Sequence, residues 1–151
     1  MKKVLIIVLL VSFTLSCSQK FYEKMYKKSY TLNEIVAINE KIINAENIAE
    51  KKVYSQTLNN SIVEIEKAVV KNIVESQNVD YDFCVVADVE NEKGKIQINI
   101  FSKNIKVISQ LKSGESVIKV IGEFGRMYKL FDDYYLKIDI QDAAIAENKA
   151  K

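Results

Sequence analysis

Behind two lysines the chain opens with an unbroken apolar run from Val4 to Val11, and its rhythm then changes. From Leu32 to Lys52 the apolar residues Leu32, Ile35, Val36, Ile38, Ile42, Ile43 and Ala45 return at spacings of three and four, with Glu34, Glu40, Lys41, Glu46 and Glu50 between them. That spacing predicts an amphipathic helix. Thr31 followed by Glu34 supplies a capping box at its start. A helix with such a stripe needs an apolar surface to lie on, so a core must follow it.

The stretch 61–76, SIVEIEKAVVKNIVES, fits two rhythms. Ile62, Ile65, Val69 and Ile73 have helical spacing, and Ser61 with Glu64 would cap that helix. Val63, Ile65, Val69 and Ile73 also set against Glu64, Glu66, Ala68 and Asn72 on a period of two, and the segment is rich in β-branched residues. Local pattern leaves both open. Downstream, Tyr81 to Glu90 is rich in strand formers, Asn91 to Gly94 is a turn, and Lys95 to Phe101 alternates Ile96, Ile98 and Ile100 with polar neighbours, which together predict a hairpin. Lys106 to Leu111 suits a short helix, and Lys112 to Glu115 a turn. Ser116 to Phe124 reads as a strand, with a bulge or close backbone approach expected at Gly122. Gly125 to Asp133 reads as a loop, and Tyr134 to Gln141 as a last strand with Tyr134, Leu136, Ile138 and Ile140 inward. From Glu147 the chain is polar and expected to fray.

A length of 151 residues allows one ordinary domain, and 48% hydrophobic with 28% charged residues is globular composition. Missing residue types change the picture more. There is no His, no Trp and no Pro, and Arg126 is the single arginine. Without His, Ser-His-Asp and Cys-His nucleophile pairs are excluded, as is any imidazole metal ligand. The close carboxylate pairs, Asp80-x-Asp82 and Asp132-Asp133, stand without a phosphate cradle or a ligand set suited to a catalytic metal. No catalytic residue, no metal and no cofactor is expected. Cys84, inside the apolar run FCVVADV, is expected to be a buried, inert thiol.

The N-terminal segment MKKVLIIVLLVSFTLSC has the basic start and short apolar run of a secretory signal. The run is too short to span roughly 30 Å of hydrocarbon, which takes about 20 residues. Cys17 directly after Leu15-Ser16 resembles the lipobox of bacterial lipoproteins, in which the cysteine thiol takes a diacylglyceryl group and cleavage falls just before it. Thr14 stands where leucine is usual and Leu15 follows one place later, as in the relaxed lipoboxes of spirochaete-like lipoproteins. Lipidation is therefore expected at Cys17, with the bilayer as a partner. Ser18, rather than aspartate, is compatible with export to an outer membrane. Removal of Lys2 and Lys3 leaves 20 basic and 20 acidic side chains, so the mature chain has no net pull on polyanions. Residues 18–31 interleave Phe21, Tyr22, Met25 and Tyr26 with Lys20, Lys24, Lys27 and Lys28, which fits either an interfacial helix or a flexible tether.

If 61–76 is a strand, the C-terminal half offers five strands with a short helix before the fourth, which is the order of an OB-fold. The run NIFSKNIKVISQLKSGESVIKVIGEFG with YLKIDIQDAAI resembles the tRNA-anticodon-like OB domains of bacterial exported proteins, through Leu111, Lys112, Gly114, Val117 and Gly122. Upstream, Asn47, Ala49 and Tyr54 sit where such domains carry a helix end. The resemblance, over residues 47–142, implies that 61–76 is a long first strand. The expected fold is α+β and mainly β: a five-stranded OB-fold-like barrel preceded by an N-terminal amphipathic helix. Its organisation would be a signal peptide (1–16), an acylated tether (17–31), a helical segment (32–58), the barrel (59–146) and a polar tail (147–151).

The resemblance implies a binding face rather than an activity. Tyr81, Phe101, Tyr128 and Tyr135 are the candidate ligand-face aromatics, although rings in strands, including Phe131 and Tyr134, more often serve a core. Residues 61–142 carry 11 basic and 14 acidic side chains, which disfavours nucleic acid. The sequence points to a membrane-anchored lipoprotein acting as a non-catalytic binding or assembly module in the periplasm or at the cell surface, with a protein partner. The alternative is an OB-fold binder of single-stranded nucleic acid or oligosaccharide.

Overall fold

The segment that fits two periodicities forms one long strand in the computed structural model, which describes residues 27–148. In chain order the elements are β1 (Ser29–Thr31), α1 (Leu32–Asn44), α2 (Ile48–Gln56), β2 (Ile62–Glu75), β3 (Phe83–Asn91), β4 (Gly94–Phe101), α3 (Ile105–Ile108), β5 (Val117–Tyr128) and β6 (Leu136–Glu147). Along β2 the buried positions are Val63, Ile65, Ala68 and Val70. Its pairing with β5 slips between Ile65 and Ala68, so the inward parity changes from odd to even there. That slip is why the segment never showed a clean period of two.

β2 pairs antiparallel with β3, β3 with β4, and β5 with β6, while β4 and β6 run parallel. β2 is long enough to pair with β3 through its second half and with β5 through its first, which closes the barrel. The resulting order, β2-β3-β4-β6-β5 and back to β2 with α3 between β4 and β5, is the OB-fold arrangement. Inside it Val63, Val85, Ile96, Ile98, Ile100, Ile118, Val120, Leu136, Ile138 and Ile140 form a continuous apolar core. At the β3–β4 turn α1 lies against one end, where Ile35 and Val36 join Leu58 in the core. Asn91 donates to Asn33 across this junction at 3.0 Å. At the far end of β4, Ile108 and Leu111 close the other opening.

Several expectations are corrected. The helix predicted over Leu32 to Lys52 breaks at Ala45, whose backbone is extended, because Asn47 accepts from the Glu50 N–H and starts a second helix. The capping box of Thr31 and Glu34 is formed. Residues 29–31, placed in the tether, form a parallel strand beside Ile62–Glu64, with the Tyr30 ring buried and its hydroxyl on the Thr57 carbonyl. Only 27–31 of that tether fall among the described residues; Cys17 lies outside them. The strand predicted to end at Phe124 runs on to Tyr128, so Arg126, Met127 and Tyr128 of the expected loop are paired with β6, with Gly125 at a register shift. Tyr134 precedes β6 and lies outside the barrel, where its hydroxyl meets Asp88 and Lys71. Glu147 is not frayed: it ends β6, accepts from the Ser116 hydroxyl, and Asn148 donates to the Val117 carbonyl. The irregularity expected at Gly122 is present, since β5–β6 pairing shifts between Ile121 and Glu123. A Cβ on Gly122 would lie 2.5 Å from Ile140 Cγ2 and 2.7 Å from the Gln141 carbonyl oxygen, so the backbones approach too closely for any side chain.

Candidate binding groove on the outer face of the barrel

Strand alternation that sends Val85, Ile98, Ile138 and Ile100 inward sends their neighbours outward, and register aligns those neighbours in rows across four strands. One row runs Val86, Asn99, Asp139, Arg126 across β3, β4, β6 and β5; the next runs Asp88, Gln97, Lys137, Tyr128. The first row, Tyr128 of the second and the loop after β2 line a groove of about 590 Å³. Val74, Cys84, Val86 and Phe101 give it apolar surface, and Asn78, Asn99, Arg126, Asp139 and Gln141 give it polar groups.

Its floor is a connected hydrogen-bond network. Asn99 Nδ2 donates to Asp139 Oδ1 at 2.8 Å and to the Tyr128 hydroxyl at 2.9 Å, and Gln97 Nε2 donates to Asn99 Oδ1 at 2.7 Å. Arg126 Nε donates to Asp139 Oδ2 at 2.6 Å. The Asp139 side chain is 5% exposed and that of Arg126 is 72% exposed, so a buried carboxylate holds a guanidinium that faces solvent. The guanidinium also lies over the Tyr128 ring, 4.9 Å from its centroid. Burial, with the Asp139 charge second, pushes the Tyr128 hydroxyl above its ordinary pKa, so it stays a neutral donor. Among the described residues, no buried side-chain nitrogen or oxygen lacks a partner. A satisfied polar floor of this kind is rigid and ready to present its exposed groups.

Of the four candidate aromatics the structure brings three to this side. Phe101 and Tyr128 line the groove, and Tyr81 packs on Phe101 with ring centroids 5.5 Å apart. Tyr81 is buried and its hydroxyl accepts from the Asp142 N–H, so it supports Phe101 instead of offering a face. Tyr135 is not in the groove: its hydroxyl binds Glu40 and Asn39 of α1. That hydrogen bond is the main cause holding the Glu40 carboxyl below its ordinary pKa. Asn99, Arg126 and Asp139 carry the groove floor and are not among the site residues expected from the sequence. The available signal was their register, which strand prediction alone does not supply, together with Arg126 being the single arginine.

Cys84 is buried at the groove wall, and burial pushes its thiol up to about 11. Against an ordinary cysteine near 8.5, that shift leaves roughly two-hundredfold less thiolate at pH 8. Alkylation by iodoacetamide at that pH should therefore run about two orders of magnitude slower than for the urea-unfolded chain, read by mass spectrometry. Equal rates would place Cys84 at the surface. Of the carboxylate pairs, Asp132 pairs with Lys137 at 2.5 Å and accepts from the Tyr134 N–H. Among the described residues no three His, Cys, Asp or Glu side chains are grouped to hold a metal ion. No protein-family model matches the chain, and no curated protein matches it.

Proposed function

We propose that the chain is a membrane-anchored bacterial lipoprotein whose barrel serves as a non-catalytic binding module in the periplasm or at the cell surface. The observation that carries the binding role is the groove floor. A buried carboxylate, two amides and a tyrosine are hydrogen-bonded to one another, and beside them one guanidinium, two aromatic rings and an apolar strip line the groove. Interiors do not require such a network, because an apolar surface of equal size would need no partners. Its use lies in what it presents. The anchor is supported by the N-terminal sequence, in which the apolar run ends at Leu15-Ser16-Cys17.

An acylated cysteine followed by the eleven residues before β1 would tether the barrel to its leaflet. The lipid-binding half of the reading is tested by Cys17→Ala expressed in a lipoprotein-processing host. The unaltered chain is expected in the detergent phase on Triton X-114 partition and to take up labelled palmitate, whereas the variant moves to the aqueous phase or remains as precursor. Palmitate uptake by the variant equal to that of the unaltered chain would remove the anchor. Protease treatment of intact cells then assigns the side, with digestion marking the surface and protection the periplasm.

A further inference from the structure

Resting on the lipid anchor proposed above, we propose that the barrel docks on the bilayer by its helical end, with the outer face of α2 and the tip of the β5–β6 loop set into the lipid interface. Six large apolar side chains are more than half exposed among the described residues. Five lie at this end: Ile43 on α1, Ile48 and Val53 on α2, and Leu130 and Phe131 in the loop. The sixth, Val79, is in the β2–β3 loop at the opposite end. Register places the five together. Ser29 pairs with Ile62 where β2 begins, β4 and β6 begin side by side through Ile96 and Leu136, and Tyr128 pairs with Lys137 to close the β5–β6 loop. Tyr135 of that loop meets Asn39 of α1, and the Lys41 ammonium of α1 lies over the Tyr54 ring of α2, 6.0 Å from its centroid.

α2 buries none of its residues, so filling the core is not its role. Its one acid, Glu50, accepts from the Tyr54 hydroxyl on the α1 side. On the other side Ile48, Lys51 and Lys52 stand at spacings of three and four with Val53 beside them, all exposed. Among the described residues no carboxylate pairs with Lys51 or Lys52. An apolar stripe flanked by unpaired lysines suits a membrane surface, where alkyl groups enter the acyl boundary and ammonium groups meet phosphate. In the loop, Lys129 precedes Leu130 and Phe131, and of the two acids that follow, Asp132 is paired with Lys137.

The tether selects a bilayer over a second copy of the chain. Lys27 follows Cys17 by ten positions, which is at most about 35 Å of extended chain. Lys27 is fixed at the helical end by Glu123, at 2.5 Å, opposite the start of β2. The acylated cysteine therefore keeps this end near its leaflet, and turning the opposite end down would require the tether to run back along the barrel wall. Residues 20–28 repeat the same mixture of lysine and aromatic side chains, so the apolar and basic character continues from the tether onto the helical end. In this orientation the loop after β2, which brings Asn78 to the groove, points away from the lipid.

The test uses the acylated full chain reconstituted into vesicles of phosphatidylcholine and phosphatidylglycerol, with a fluorophore on one introduced cysteine. The sites are Ile48→Cys, Phe131→Cys and, as the control at the opposite end, Val79→Cys; all three side chains are exposed, so the fold tolerates the change, and the buried Cys84 reacts slowly. Two quenchers are compared, a spin-labelled phosphatidylcholine within the bilayer and acrylamide in the water. The lipid quencher should act on positions 48 and 131 at least about threefold more strongly than on position 79, with acrylamide showing the reverse order. Equal lipid quenching at the three positions on vesicles that still carry the protein would overturn the docking face and leave the anchor standing. Shielding of 48 and 131 from acrylamide without lipid quenching would replace the bilayer with a second copy of the chain. Failure of the protein to float with the vesicles would remove the anchor itself and this orientation with it.

Discussion

Ile138→Ala should lower the stability of the barrel by about 4 kcal/mol, within the range of about 2–5 kcal/mol for truncating a buried isoleucine. Ile138 is fully buried on β6, flanked in register by Ile98 on β4 and Met127 on β5. The upper part of the range is expected because the site cannot collapse. β6 is hydrogen-bonded on both sides, and the barrel is closed through β2, so no strand can move inward without breaking a ladder. For a domain of this size the loss corresponds to a fall in melting temperature of roughly 15 °C. Urea unfolding followed by circular dichroism measures it directly, with the midpoint shifted and the slope preserved. Ile121→Ala is the matched control: that side chain is 40% exposed and its removal should stay within about 0.5 kcal/mol. Equal losses at the two positions would mean that Ile138 does not sit in a closed core.

The same closure explains what the sequence could and could not disclose. The β3–β4 hairpin was legible because its alternation is clean and its turn is marked by Asn91 and Gly94, the latter with φ +129°. The five-strand order was legible once β2 was admitted as a strand. β2 itself was ambiguous because a register slip reverses its parity midway, and a period-two test averages the two halves away. The end of β5 was hidden for a related reason. Gly125 and Arg126 look like loop residues locally, yet a second slip between Phe124 and Arg126 lets the strand continue along β6. That continuation delivers Arg126 to Asp139. The groove is illegible for as long as β5 stops at Phe124, and of the four candidate aromatics two line it. Phe101 and Tyr128 reach the groove through outward alternation, whereas Tyr135 is claimed by Glu40 of α1, a pairing between distant parts of the chain that no local window contains. β1 was hidden similarly, since three residues of strand leave almost no periodic trace.

Asp139→Ala should be the most damaging change on the outer face, at about 3 kcal/mol. Three donors converge on this carboxylate, namely Asn99 Nδ2, Arg126 Nε and the Tyr128 hydroxyl. Two of them are shielded from water, and leaving a buried donor without a partner costs about 1–3 kcal/mol each. The third, Arg126, is largely exposed and can rehydrate, which keeps the total below the 3–5 kcal/mol or so seen when a fully buried pair is broken. Arg126→Ala should therefore cost less, about 1–2 kcal/mol, because Asp139 retains its two neutral donors. The double variant should fall short of the sum of the singles by about 1 kcal/mol or more, the interaction energy of groups in direct contact. Thermal and urea unfolding of the three variants measure this cycle. Strict additivity within about 0.5 kcal/mol would show that Asp139 does not hold the guanidinium. Coupling of the expected size would establish that Asp139 holds the guanidinium in place in the free protein, so that its ordering is not a cost to be met on binding.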